Sequence, residues 1–330
     1  MKQSIWLSLA FALAGIASAA VEGTVQNMTT GTPQPNAVVT LMDLGGGMSN
    51  IGSVKTDAAG KFTFNADMKP GSPYLIQALH QGVTYNQMLQ PGTPPTGLML
   101  NVFDASPEAP EARVAQHMIL LEPSGTELVV NESVIFNNTG KVTFQDPEGT
   151  LKIYVPTDVN TPVRLRITAP QGMPISREAE KGKAPNTYVV RYPIKPGETR
   201  IDLQYGMPAG DPAKFQSKVL HGGGPVRIVV PKGVQLESEA LTSLGPEPRT
   251  QASVFEVKGT EYAVNISGTG ALRDASASAA ENAESAAAQG EGETPGIDIV
   301  KARIYQRVEV IVGLVLAMLT VGFVMLYRTA

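Results

Sequence analysis

The chain has 330 residues, 26 Lys and Arg against 30 Asp and Glu, and a formal net charge of −4. That balance gives no electrostatic footprint for nucleic acid, and the lack of cysteine excludes disulfides, thiolate catalysis and cysteine-bound zinc or iron–sulfur sites. With 33 Gly and 25 Pro the chain is richer in turn formers than an average protein but short of a low-complexity one.

The two ends predict an address. Met1-Lys2-Gln3-Ser4 is followed by an apolar run over 5–14 and then small residues. Ala17-Ser18-Ala19 fits signal-peptidase cleavage after Ala19, and Ser18-Ala19-Ala20 fits cleavage after Ala20. We therefore expect a signal peptide over 1–20. At the other end, 308–327 holds a run that is uncharged from Val310 to Tyr327. It is close to the roughly 20 residues a membrane-crossing helix needs, and Tyr305 and Tyr327 sit at its ends as interfacial aromatics do. Lys301, Arg303 and Arg307 fall on the expected exported side, against the positive-inside bias, but long domains translocate largely regardless of charge. The expected location is a bacterial inner membrane, crossed once, with the bulk of the chain in the periplasm or outside the cell.

Between the ends the chain reads as short β-type runs separated by Gly, Pro, Asn and Asp. They cover 21–26, 37–43, 53–56, 61–65, 74–79, 97–103, 114–122, 127–137, 151–155, 163–169, 188–194, 199–205, 214–220, 226–230, 253–258 and 261–266. No helical periodicity lies between them, so the expected fold class is all-β, with tandem antiparallel β-sandwiches of immunoglobulin-like or transthyretin-like type plus one C-terminal transmembrane helix.

Three segments near the start belong together. Val21-Glu22-Gly23-Thr24-Val25 comes first, then Pro35-Asn36-Ala37-Val38-Val39-Thr40-Leu41, then Lys55-Thr56-Asp57-Ala58-Ala59-Gly60-Lys61-Phe62-Thr63-Phe64. Gly23 permits close backbone approach. Asp57 can accept backbone N–H bonds ahead of it, and Gly60 can take φ > 0, so 56–60 is a hairpin turn. Phe62 and Phe64 share one face of the returning strand. Together these segments resemble the carboxypeptidase regulatory-like domain over 21 to about 80–100. The resemblance implies a seven-stranded transthyretin-like sandwich and implies no peptidase activity.

An internal similarity follows. Gly149-Thr150-Leu151-Lys152-Ile153-Tyr154-Val155-Pro156 returns as Gly224-Pro225-Val226-Arg227-Ile228-Val229-Val230-Pro231, and 195–201 is matched by 258–264. The expected domains are thus a sandwich over 21–111, a second over 112–207 and a shorter repeat of it over 208–268. An acidic Ala/Ser/Glu/Gly linker over 269–300 follows. Its stretch 271–300 has six acids and one base, with no apolar stripe to fold on.

Chemistry is sparsely signalled. His80, His117 and His221 are widely spaced and fall in three expected domains, which argues against a metal centre. His221-Gly222-Gly223-Gly224 mimics an esterase oxyanion loop, but the nearest nucleophile-elbow candidate, Gly47-Met48-Ser49-Asn50-Ile51, lacks its final Gly. We read the 221–224 segment as a flexible hairpin. Glu178 and Glu180 read as an exposed charged loop, and scattered Met as filler. Tyr85, Tyr154, Tyr188, Tyr192 and Tyr205 are candidates for a sugar-stacking platform or for core roles. No catalytic residue, cofactor or metal ligand is assigned. The expected function is that of a non-catalytic binding or scaffold protein, an accessory subunit recruiting another exported or membrane protein. A carbohydrate or cell-wall binding module is the alternative, and a hydrolase acting through carboxylates stands third.

Overall fold

A computed structural model describes residues 20–66, 68–69, 71–210 and 212–272. The expected signal peptide up to residue 19, nearly all of the acidic linker and the expected membrane span lie outside the described residues. Among the described residues no helix is long and apolar enough to cross a membrane. Every regular element is a strand, so the described chain is all-β, built from several sheets.

The first half contains β1 (Ala20–Asn27), β2 (Thr32–Pro33), β3 (Val38–Asp43), β4 (Ser49–Lys55), β5 (Lys61–Asn65), β6 (Tyr74–His80), β7 (Val83–Leu89) and β8 (Leu98–Val102). In one sheet β1 runs antiparallel to β2 and β5 and parallel to β8. The other sheet is ordered β4-β3-β6-β7. Strict alternation explains why they close on each other. β5 buries Phe62 and Phe64, β3 buries Val39 and Leu41, and all four join one apolar core with Val21, Val25 and Ile76. The two phenylalanine rings meet edge-on at 5.9 Å.

Local turn chemistry is as the residues predict. Asp57 Oδ1 accepts the amides of Ala59 at 2.9 Å and Lys61 at 2.8 Å, and Gly60 has φ of +72°. Gly23 lies where a Cβ would come within 2.5 Å of both the Leu98 carbonyl oxygen and the Phe62 ring. A side chain there would push β8 off β1.

The second half contains β9 (Asp104–Ser106), β10 (Ala112–Ser124), β11 (Glu127–Asn138), β12 (Val142–Phe144), β13 (Leu151–Tyr154), β14 (Arg164–Thr168), β15 (Ile175–Glu178) and β16 (Glu180–Lys181). It continues through β17 (Thr187–Val190), β18 (Gly197–Pro208), β19 (Ala213–Lys218), β20 (Val226–Val230), β21 (Gln235–Glu237), β22 (Leu241–Pro246), β23 (Ser253–Val257) and β24 (Glu261–Ser267). Eight strands form one sheet in the order β15-β14-β18-β11-β10-β20-β23-β22. Two three-stranded sheets, β13-β17-β16 and β19-β24-β21, share its apolar core.

That core departs from the expected division into separate sandwiches over 112–207 and 208–268. β20 pairs in parallel with β10, His117–Leu120 against Val226–Val229, and so joins strands of both segments in one sheet. One core cluster runs from Val114 and Phe136 through Leu203 to Phe215 and Ile266. The similar octapeptides both form strands followed by Pro156 and Pro231, but β13 lies in a three-stranded sheet and β20 in the eight-stranded one. The downstream matches swap in the reverse sense, β18 in the large sheet and β24 in a small one. Similar local sequence specifies the strand and its proline stop; the layer it joins depends on distant partners. Three of the strand pairs are parallel, β1 with β8, β9 with β12 and β10 with β20, where an antiparallel arrangement was expected.

The two halves meet through polar side chains. Asn27 Nδ2 donates to Asp104 Oδ1 at 2.8 Å, and His80 Nε2 lies 2.8 Å from the same oxygen. Hydrogen bonding to His80 is the main reason the Asp104 carboxyl titrates below the usual range. Tyr85 hydroxyl donates to the Phe103 carbonyl at 2.8 Å and lies 2.7 Å from Thr143 Oγ1; burial pushes its phenol up to about 12. Lys195, 7% exposed, donates to the Thr84 carbonyl and stands 5.2 Å from the centre of the Tyr85 ring.

Burial lowers the Lys195 ammonium from 10.5 to about 8. Between those two pH values the unfolded chain binds more protons than the folded one, so stability rises with pH across the window. Below pH 8 the penalty is present in full. We expect urea unfolding to gain about 1–2 kcal/mol from pH 7.5 to 9.5, and Lys195→Met to lose that gain. A flat profile in the wild-type chain would refute the assignment.

Candidate functional site

The most unusual feature is a carboxylate inside the large core. β11 alternates regularly, and its inward positions are Leu128, Val130, Glu132, Val134 and Phe136. Glu132 is 2% exposed. A buried carboxylate is tolerable only if its oxygens are bonded, and both are. Tyr205 on β18 donates its hydroxyl to Glu132 Oε1 at 2.5 Å, and His117 Nε2 on β10 lies 2.9 Å from Oε2.

A bulge brings His117 inward. In β10 the register slips between Val114 and Gln116, so the inward phase moves from Val114 to His117, Ile119 and Leu121. Gly223 and Gly224 fit that bulge. Gly224 N donates to the Val114 carbonyl at 2.7 Å. A Cβ on Gly224 would fall 2.0 Å from the Ala115 carbonyl oxygen, and one on Gly223, at φ +126°, 2.5 Å from that of Val114. The Gly223-Gly224 part of the segment expected to be a flexible hairpin is therefore closely packed backbone leading into β20. It seats His221 with its Nε2 3.0 Å from His117 Nδ1.

The result is a relay of Glu132, His117 and His221. The glutamate and the first imidazole are buried and the second is half-buried. Burial and the neighbouring His117 hold the His221 imidazole down at about 4, so it is neutral near pH 7. Burial and Glu132 raise the phenols of Tyr205 and Tyr262. His221 Nδ1 is buried without a partner among the described residues. Beside His221 lies a cavity of about 500 Å³, walled by Phe136, Phe144 and Leu151 and carrying Arg113 and Lys152.

One reading of the sequence changes here. His117 and His221, 104 positions apart, are in contact, whereas His80 pairs with Asp104 at the junction. Among the described residues no group of three or more His, Asp or Glu is placed to hold a metal ion. Glu180 is exposed and pairs with Arg191 at 2.5 Å and with Arg177 at 3.8 Å. The tyrosines do not form one platform: Tyr205 faces the core, Tyr85 the junction, and Tyr188 and Tyr192 pack against the core edge. One sequence signal could have found the relay, because Glu132 occupies an inward position of an otherwise apolar alternation.

A second feature lies on the outer face of the eight-stranded sheet. Outward side chains form rows across five strands. One row runs Met118, Ser133, Asp202, Arg166, Ser176, and the next Leu120, Asn131, Gln204, Arg164, Glu178. They line an open groove of about 840 Å³, joined by Arg200. Arg200 Nε lies 2.7 Å from Asp202 Oδ1.

Fold and site thus define an all-β protein with a hydrogen-bonded Glu132–His117–His221 relay in its core and an arginine-edged groove on its broad sheet. Neither a family model nor a curated protein matches the chain.

Proposed function

We propose that this chain is an exported, membrane-anchored binding or scaffold protein, an accessory subunit that docks another exported or membrane protein on its β units. One observation carries the reading. The groove on the eight-stranded sheet combines a half-buried apolar floor of Met118 and Leu120 with exposed Arg164, Arg166 and Arg200. An apolar floor supplies affinity and an arginine rim supplies orientation toward carboxylates. The carboxypeptidase regulatory-like resemblance of the first half fits a recruiting module, and the signal and span expected at the ends would hold it at the membrane.

Crosslinking in intact cells, followed by recovery of the full-length protein from solubilised membranes, tests this. The triple variant Arg164→Glu, Arg166→Glu, Arg200→Glu is expected to reduce recovery of the crosslinked partner roughly tenfold. No reproducible partner, or one indifferent to the variant, ends the proposal. Protease added to spheroplasts is expected to digest the β units. The carbohydrate alternative uses the same groove and predicts binding of acidic polysaccharide, with the arginines rather than the tyrosines as its determinants.

A further inference from the structure

We propose that the cavity beside His221 is a binding site for an amphipathic anion, an apolar body carrying one fixed negative group, and that it binds with uptake of a proton into the His117–His221 pair. This site is separate from the groove on the sheet face and does not depend on it.

The cavity has the two halves such a ligand needs. Its walls are Phe136, Phe144 and Leu151, and its volume of about 500 Å³ holds a single ring with room to spare. Arg113 and Lys152 are both exposed at its edge, and neither has an ion-pair partner among the described residues. Glu148, whose carboxyl Lys152 weakly influences, is already paired with Lys183 at 2.9 Å. Arg113 is steered by its Nε, which donates to the Pro110 carbonyl at 2.6 Å, leaving its terminal nitrogens for an anion.

The relay explains the proton. Tyr205 and His117 both donate to the Glu132 carboxyl group, so His117 carries a proton on Nε2. His117 Nδ1 then accepts from His221 Nε2, and the lone pair left over is on His221 Nδ1, the buried atom without a partner. In the empty site a second proton is opposed by burial. A bound anion adds negative charge beside the ring and favours the imidazolium, as Glu132 behind it already does, against burial and the neighbouring His117. Arg113 and Lys152 act in the opposite sense. The net effect is a site that binds more tightly as pH falls.

Benzenesulfonate is the probe, because its anion does not titrate and any proton taken up belongs to the protein. Calorimetry on the full-length chain at pH 6, in two buffers of different ionisation heat, is expected to show saturable one-site binding. Roughly half a proton per site should be taken up. Arg113→Ala with Lys152→Ala, both on the surface, should weaken binding about tenfold or more with the circular dichroism unchanged. His221→Gln should keep binding and lose the buffer dependence. No saturable heat, affinity indifferent to the Arg113 and Lys152 changes, or heat independent of buffer in the wild-type chain would each overturn the proposal.

Discussion

Replacing His117 with leucine lowers the unfolding free energy by about 3 kcal/mol, the cost of leaving one oxygen of a buried carboxyl group without its hydrogen-bond partner. The leucine fills much of the imidazole's volume, so cavity formation is a minor part. What remains is Glu132, 2% exposed and held by Tyr205 alone. Taking out the whole network with His117→Leu, Glu132→Leu and Tyr205→Phe is expected to recover most of the loss, because an apolar trio needs no partners. Urea titrations of the two variants measure this. Equal midpoints for His117→Leu and the wild-type chain would show that no hydrogen-bonded relay stabilises the core.

The same network sets the response to acid. His221 has a folded value of about 4 against an unfolded 6.5. Between those values the unfolded chain binds more protons, so His221 makes stability fall as pH drops from 6.5 toward 4. His221→Gln is expected to flatten that part of the profile.

The second large effect is expected at Phe215. This β19 ring is fully buried, its centre 6.3 Å from that of Tyr262, and it lies in the core shared by the large sheet and the small ones. Phe215→Ala should cost about 3–5 kcal/mol. The location of the loss matters more than its size. In one continuous core the weakening spreads, so amides of β11 and β18 should exchange faster along with those of β19 and β24. Native-state hydrogen exchange distinguishes the cases. Undiminished protection in β11 and β18 would mean that 112–207 and 208–268 are separate cooperative units after all.

Several residues of the first half could be placed from sequence because their causes are local. Phe62 and Phe64 alternate with Lys61, Thr63 and Asn65 and are buried accordingly. Asp57 and Gly60 make the turn between them and β4. Gly23 is required by close approach of β8 and the Phe62 ring. Each depends on a few neighbouring positions, and a side-chain period of two survives in any environment that buries one face.

The relay was not legible in the same way. Its members come from β10, β11 and the 221–224 loop, and the slip in β10 between Val114 and Gln116 reverses the inward phase that simple alternation assigns. Only Glu132 leaves a local mark, as a carboxylate among inward apolar positions, and it was not singled out from the sequence.

What the sequence determined by itself is the all-β character of the described chain, most of its strand positions and the turns that join them, since alternation and turn residues act over a few positions. What the tertiary structure alone decided is that β20 lies parallel to β10, that two similar octapeptides enter opposite layers, and that His117 meets His221. Pairing between strands a hundred residues apart is chosen by shape and burial over the whole core, and leaves no mark in either strand taken singly.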